Sequence, residues 1–561
     1  GHDIVAFPLI QQIVGDIRPT LWLLLGAVSL VLLIACVNIA SLLLARAVSR
    51  ERELAMRVAL GANRGRLIRQ CLTESGVLGL FGGGLGVLLA AVGLRPFVTC
   101  WPGSLPRAEE IRLDWHVLLF AIGVSLISGL LFGLAPALRA PSQNLEQALR
   151  AGGRTVAGSS RRLHSSFIIA EVALAVVLLV AAGMLGRTLL HLSSLDPGVN
   201  INNLLTARAT ISPAALANPA ETRAAWQDFL DRARRVPGVQ SAALSDIVPM
   251  RVGENTLDYR TTAEAPPPNQ ETYSLASCVT PDYLNVMGIP LRQGRFFNEN
   301  DRIGNQLVVV IDDNLAKHAF GEKDAVGKRL WVPAMGPDPV QVIGVVGHVR
   351  HWGLAGDDQS PVRDQMCYPF AQVRDGLLHL FSSFMSVTVR TNIAPLSVVE
   401  PLRHEVRGAS GDQVLYGVQT MEQLASDSLS KQRFLLLLFG IFGGLALLLA
   451  CIGIYGVLAY LTNQRVPEIG TRIALGATAG EVMRLVLRQS LGMIFIGIVV
   501  GTAGSLAAAR FMQRLIEGMQ PAQATTFVAM ILVLVAAAFA ASFIPARRAS
   551  RIDPISALRQ E

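Results

Sequence analysis

Charge is what this sequence is shortest of. Only 16% of its 561 residues are Asp, Glu, Lys or Arg, against roughly 25% in an ordinary soluble domain. With 51% apolar residues besides, a disordered, charge-solvated chain is excluded. Cysteine is scarce too, and six in so long a chain cannot build the dense framework of a small secreted scaffold. Cys36 and Cys451 fall inside apolar runs, while Cys278 and Cys367 share a polar region and are a candidate pair. A nucleotide-binding phosphate loop is missing as well. The nearest stretch, Gly321–Lys328, has one residue too many between its glycines and is followed by Arg329. His348 and His351 are three apart with no glutamate beside them, which suits no zinc-binding helix pair.

What the chain does have is long apolar text, with a mean hydropathy of +0.44. About 20 apolar residues span a bilayer core as a helix. Seven stretches meet that length: Leu21–Ala45, Gly76–Leu94, Val117–Leu138, Phe167–Gly186, Phe434–Leu461, Gln489–Ala509 and Thr525–Pro545. The only Asp, Glu, Lys, Arg or His inside them is Glu171, which the sequence places one turn within its span. An acid inside a span is a candidate functional group, while anchoring near a helix N-terminus, which stabilises a carboxylate, is the expected role at this depth. Gly82, Gly83, Gly84 and Gly86 lie mid-span with no strand before them, so they read as close helix packing and not as a nucleotide loop.

The excess of 49 basic over 41 acidic residues is a topology signal. Loop 46–66 holds six arginines against two acids, and loop 139–162 five against one, while loop 94–115 balances at three each. Arg547, Arg548, Arg551 and Arg559 crowd the C-terminal end. Alternating sides then put every strongly basic segment, the C-terminus included, in the cytoplasm, and nucleic acid is not an expected partner. Gly1 falls outside with no export signal before it. Residues 1–20 are therefore expected to close an upstream extracytoplasmic domain.

The text repeats itself. Residues 46–62 (RAVSRERELAMRVALGA) and 461–477 (LTNQRVPEIGTRIALGA) share seven identities: Arg50/Arg465, Glu53/Glu468, Arg57/Arg472 and the run Ala-Leu-Gly-Ala. Each copy sits between two spans. Topology requires charge, but not the same Glu-to-Arg spacing of four twice over. On a helix that spacing makes an ion pair, with Gly61 and Gly476 where the helix would stop. The resulting layout is a three-span module at 21–138, a linker at 139–166, a further span at 167–190, an inserted domain at 191–431 and a second module at 432–561. In the insert, Trp226, Phe229, Leu230 and Ala233 recur at helical spacing within 221–236. One of Asp312, Asp313 and Asn314 should cap a helix after the β-branched run 307–311, and 340–346 reads as a strand. The fold class is thus a polytopic α-helical membrane protein with an inserted α/β extracytoplasmic domain.

The E-x-x-x-R-x-A-L-G-A loops, with Pro136–Ala140 echoed at 545–549, resemble the FtsX/MacB-type permease family of ABC systems. Val279–Leu284, Gly288–Leu291, Gly294–Phe296, Gly327–Arg329 and Val342–Val346 resemble the MacB-like periplasmic core. The resemblance implies two FtsX-like modules around that core, in a multi-pass protein of the bacterial inner membrane. It implies a non-catalytic permease subunit, with no cofactor on this chain and ATP with Mg held by a separate cytoplasmic ABC ATPase dimer. Its coupling helices would carry Glu53, Arg57, Leu60, Gly61, Ala62, Glu468, Arg472, Leu475, Gly476 and Ala477. ATP-driven motion would reach the periplasmic domain to expel a substrate, with a periplasmic adaptor as a further partner. The alternative is an FtsX-like regulator that activates a periplasmic protein such as a cell-wall hydrolase.

Overall fold

The computed structural model describes residues 18–49, 64–99, 113–138, 154–464 and 466–550, apart from short breaks at 213, 252, 254, 268–269, 322–323, 408–413, 476 and 517. In chain order come helices α1 (Arg18–Ser49), α2 (Arg64–Thr99), α3 (Trp115–Leu138) and α4 (Arg154–Ser193). Strands β1 (Leu204–Thr210), β2 (Val239–Ser245), β3 (Thr256–Tyr259), β4 (Thr272–Val279), β5 (Leu291–Gly294), β6 (Val308–Asp312), β7 (Arg329–Leu330), β8 (Val340–Val346), β9 (Gln365–Pro369), β10 (Ser386–Thr391) and β11 (Val414–Thr420) follow. Among them lie α5 (Pro219–Arg235), α6 (Tyr283–Met287), α7 (Asp313–Phe320), α8 (Asp375–Ser382), α9 (Val399–Val406) and α10 (Met421–Asp427). The chain ends with α11 (Ser430–Gln464), α12 (Val466–Ala474), α13 (Ala479–Leu515) and α14 (Ala524–Ala549). Two compact units result, one of residues 1–189 with 431–561, the other of residues 190–430.

Among the described residues of the first unit, six helices are long and apolar enough to cross a membrane, and α3 adds the shorter apolar stretch Trp115–Ile127. Their outward faces carry large apolar side chains such as Phe81, Phe120, Phe495 and Leu532. Water would oppose that exposure and lipid does not. The most enclosed helix is α4, with 67% of its apolar window buried against 33% or less in the others. Polar residues 154–166 stay helical ahead of the apolar run, so α4 begins well before Phe167. Small residues explain how the helices approach. A Cβ at Gly79 or Gly129 would meet the backbone of the facing helix in the α2–α3 pair at 3.1 Å, and one at Gly83 would meet Ser125 at 3.0 Å. Close packing therefore accounts for Gly83, whereas Gly82, Gly84 and Gly86 face open space.

The second unit is an α/β sandwich on one eleven-stranded sheet ordered β11-β1-β10-β2-β4-β9-β6-β8-β5, with β3 on β4 and β7 on β8. The β11-β1-β10-β2 half is antiparallel; the other half mixes parallel pairs (β4 with β9, β6 with β8) with antiparallel ones. One residue pair, Ser245↔Val279, joins the halves. Trp226, Phe229, Leu230 and Ala233 of α5 are buried on one face, and Tyr283, Met287, Met421 and Leu424 of α6 and α10 on the other. Of the run Asp312-Asp313-Asn314, Asp312 is the residue that caps α7, accepting from Leu315 N at 2.9 Å.

The cysteine pairing does not occur. On the adjacent strands β4 and β9, Ser277 stands opposite Cys367 and Cys278 opposite Tyr368. Successive side chains leave a strand on opposite faces. Cys278 therefore joins one core and Cys367 packs against the other, and both are free thiols.

Candidate functional site

Of the repeated loops, the second copy is on view. Arg50, Glu53, Arg57, Leu60, Gly61 and Ala62 of the first, and Arg465 and Gly476 of the second, lie outside the described residues. Residues 466–474 form the short helix α12, where Arg472 Nη2 donates to Glu468 Oε1 at 2.7 Å, one turn apart. Ala477 N returns to Arg472 O at 2.9 Å and closes the C-terminal end. Thr478 then caps α13 by a reciprocal box with Glu481. Ile469 is buried against Val482, with Ile473 and Val486 beside them, so α12 is pinned to the first turns of α13. Leu475 is left 88% exposed at the tip of this turn. A helix clamped on its apolar side and charged on its other side is a stiff element with one projecting apolar knob.

Behind it, α4 is the element that the other helices grip. Val172, Ala173, Val176 and Val177 face Gly497, Gly501 and Gly504 of α13, where an added Cβ would come within 2.7–3.3 Å of them. Gly497, Gly501, Ser505 and Ala509 are all buried along one line of α13. That four-residue spacing of small residues was legible in the sequence, as a surface for close helix approach.

Glu171 contradicts the expectation of interfacial anchoring. Its helix starts 17 residues earlier, at Arg154, and the side chain is 1% exposed. No free backbone N–H remains at that depth to stabilise the carboxylate. Both carboxylate oxygens lack hydrogen-bond partners, and the group lies where a Cβ on Gly453 of α11 would be. One turn before Gly453, Asn38 of α1 donates to Leu449 O at 2.7 Å, and its own Oδ1 is likewise unpartnered. Two polar side chains thus converge on one stretch of α11 inside an otherwise apolar core.

In the outer unit, the two histidines weighed as a metal pair serve different ends. His348 Nδ1 donates to Asp312 Oδ2 at 2.6 Å and Nε2 to Asp357 Oδ2 at 2.8 Å, whereas His351 Nε2 faces Gly253 O at 3.1 Å. Burial disfavours a charge on His348, but its bonds to Asp312 and Asp357 outweigh that and push the imidazole up to about 9. The resulting imidazolium ties the end of β6 to the 348–357 segment. Asp364 accepts from Tyr259 Oη at 2.6 Å and pairs with His318 Nδ1 at 2.7 Å. Among the described residues, no three His, Cys, Asp or Glu side chains are grouped to hold a metal ion.

Residues 166–405 match the description of a MacB-like periplasmic core domain, and residues 25–145 with 440–554 that of an FtsX-like permease C-terminal. The chain belongs to the FtsX/MacB-type family of ABC transporter permeases. As a member it is a multi-pass inner-membrane permease with an inserted periplasmic domain. An uncharacterised ABC transporter permease of Bacillus subtilis, YknZ, is 25% identical over 69% of this chain and 91% of its own length. The macrolide export ATP-binding/permease protein MacB of Wolinella succinogenes is 27% identical over 52% of this chain, and this chain spans 44% of that protein. The solved periplasmic region of MacB from Actinobacillus actinomycetemcomitans aligns over 42% of this chain and 96% of that chain, at 15% identity and a TM-score of 0.28.

Proposed function

We propose that this permease converts ATP hydrolysis on a separate ABC ATPase dimer into movement of its periplasmic domain, driving release or efflux of a substrate there. ATP and Mg belong to the ATPase, and this chain is non-catalytic. One observation carries the reading: α12, clamped to α13 and bearing the Glu468–Arg472 pair and Leu475 at its tip. Force applied at that turn passes directly into a 37-residue helix, which grips α4 through its small-residue line. The arginine excess of the loops supports a cytoplasmic position for α12 and the C-terminus, on the side where an ABC ATPase works. The first copy, with Glu53, Arg57, Leu60, Gly61 and Ala62, would meet the second ATPase subunit in the same way. A pair of docking sites suits a dimeric motor.

The test reconstitutes the full chain with its ATPase in lipid and reads stimulation of ATP hydrolysis. Exchanging the charges (E468R with R472E) leaves an exposed pair worth only about 0.3–0.5 kcal/mol, so folding survives. Leu475→Asp replaces a side chain that is almost wholly exposed. Both variants should insert normally and resist trypsin as the parent does, yet lose most of the stimulation. Undiminished stimulation in both would leave α12 as a topology signal and overturn the coupling role.

A further inference from the structure

Just past Ser245, where β2 hands over to β4, the chain leaves the sheet, and Asp246, Ile247, Val248, Arg251, Gly253 and Asn255 border a cavity of about 310 Å3. That volume is at the lower end of small-molecule sites, which run from roughly 300 to 1,000 Å3. Its lining combines two chemistries. Arg208 of β1 and Arg251 stand on one part of it; Leu380, Phe381 and Phe384, at the end of α8, form another. Leu380 and Phe384 are each 54% exposed.

The two guanidiniums have no counter-ion in reach among the described residues. Arg251 Nη2 is fixed by Gly417 O at 2.7 Å and Thr206 Oγ1 at 3.0 Å, both neutral acceptors. Its Nη1 is buried and unpartnered. Among the described residues, Arg208 makes no side-chain hydrogen bond or ion pair. Burial, and after it the positive charge of Arg208, push Arg251 below its usual value. The acid on the lining, Asp246, is already engaged by Cys278 N at 2.8 Å and Asn255 Nδ2 at 3.4 Å, and burial pushes it up to about 7. Like charges held near one another are unfavourable until an anion joins them. Arginine forks match carboxylate and phosphate oxygens in pairs.

We propose that this cavity binds a small amphipathic anion, its carboxylate or phosphate head between Arg208 and Arg251 and its apolar body along Leu380, Phe381 and Phe384. Occupancy would tie β1 to the segment that links the two halves of the sheet. The site is independent of the ATP-coupling role and is tested without any ATPase. The full chain is placed in nanodiscs of neutral phosphatidylcholine, and dansyl-labelled undecanoic acid is titrated in, with empty nanodiscs as the blank. Saturable binding above the blank is expected. Laurate, dodecyl phosphate or both should displace the probe, and dodecanol at equal concentration should not. Arg208 holds no side-chain partner among the described residues, so Arg208→Gln should weaken binding about tenfold or more; Phe384→Ala should weaken it as well, with trypsin resistance unchanged in both. Binding no higher than in empty nanodiscs, equal displacement by dodecanol, or parent-like affinity in R208Q would each overturn the site.

Discussion

Gly501 of α13 meets the backbone of α4, and replacing that glycine tests the packing of these two helices. A Cβ there would fall 2.7 Å from Ala173 O and 2.8 Å from Val176 Cβ. Backbone cannot yield as a flexible side chain does, so α4 or α13 must shift. Overpacking of this kind costs about 1–3 kcal/mol. Against it stands the higher helix propensity of alanine, worth up to about 1 kcal/mol. Gly492, two and a half turns earlier on the same helix, has nothing within 4 Å of its would-be Cβ. Gly492→Ala therefore collects the propensity gain with no clash, while Gly501→Ala collects the clash as well. The two variants should differ by about 1–3 kcal/mol, with G501A the less stable. Thermal unfolding of the detergent-solubilised full chain, followed by the loss of its monodisperse chromatographic peak, measures the order. Equal midpoints for the two variants would show that α4 and α13 do not meet through this glycine face.

Two further perturbations read other parts of the molecule. His348 is raised from 6.5 to about 9. Its contribution is therefore complete below pH 6.5 and lost as pH rises through about 9, by at most about 3 kcal/mol; parent stability should fall over that window while His348→Gln shows a flatter profile, and equal slopes would refute the linkage. Glu171→Met removes two unpartnered buried oxygens at similar volume, so stability should hold or rise by about 1–3 kcal/mol; a clear loss would mean that the carboxyl has a partner in the resting protein.

Membrane spans are readable from sequence because backbone groups in lipid must bond within their own segment, which leaves long apolar helices as the solution. The internal repeat was equally legible, since identity at fixed spacing needs no structure, and α12 forms where its Glu468–Arg472 spacing predicts. Local rules also placed α5 through its apolar period and α7 through the capping run Asp312-Asp313-Asn314. Features made by contacts between distant segments were closed to this reasoning. Glu171 seemed interfacial because an apolar run marks a span without marking where its helix begins. Cys278 and Cys367 looked pairable until strand register sent them to opposite faces. Arg208 and Arg251 belong to different elements and meet only once β1 and the segment after β2 are brought together. Side-chain chemistry and local period act within a few residues along the chain, whereas burial, charge proximity and cavities are properties of surfaces that exist only after the chain has folded back on itself.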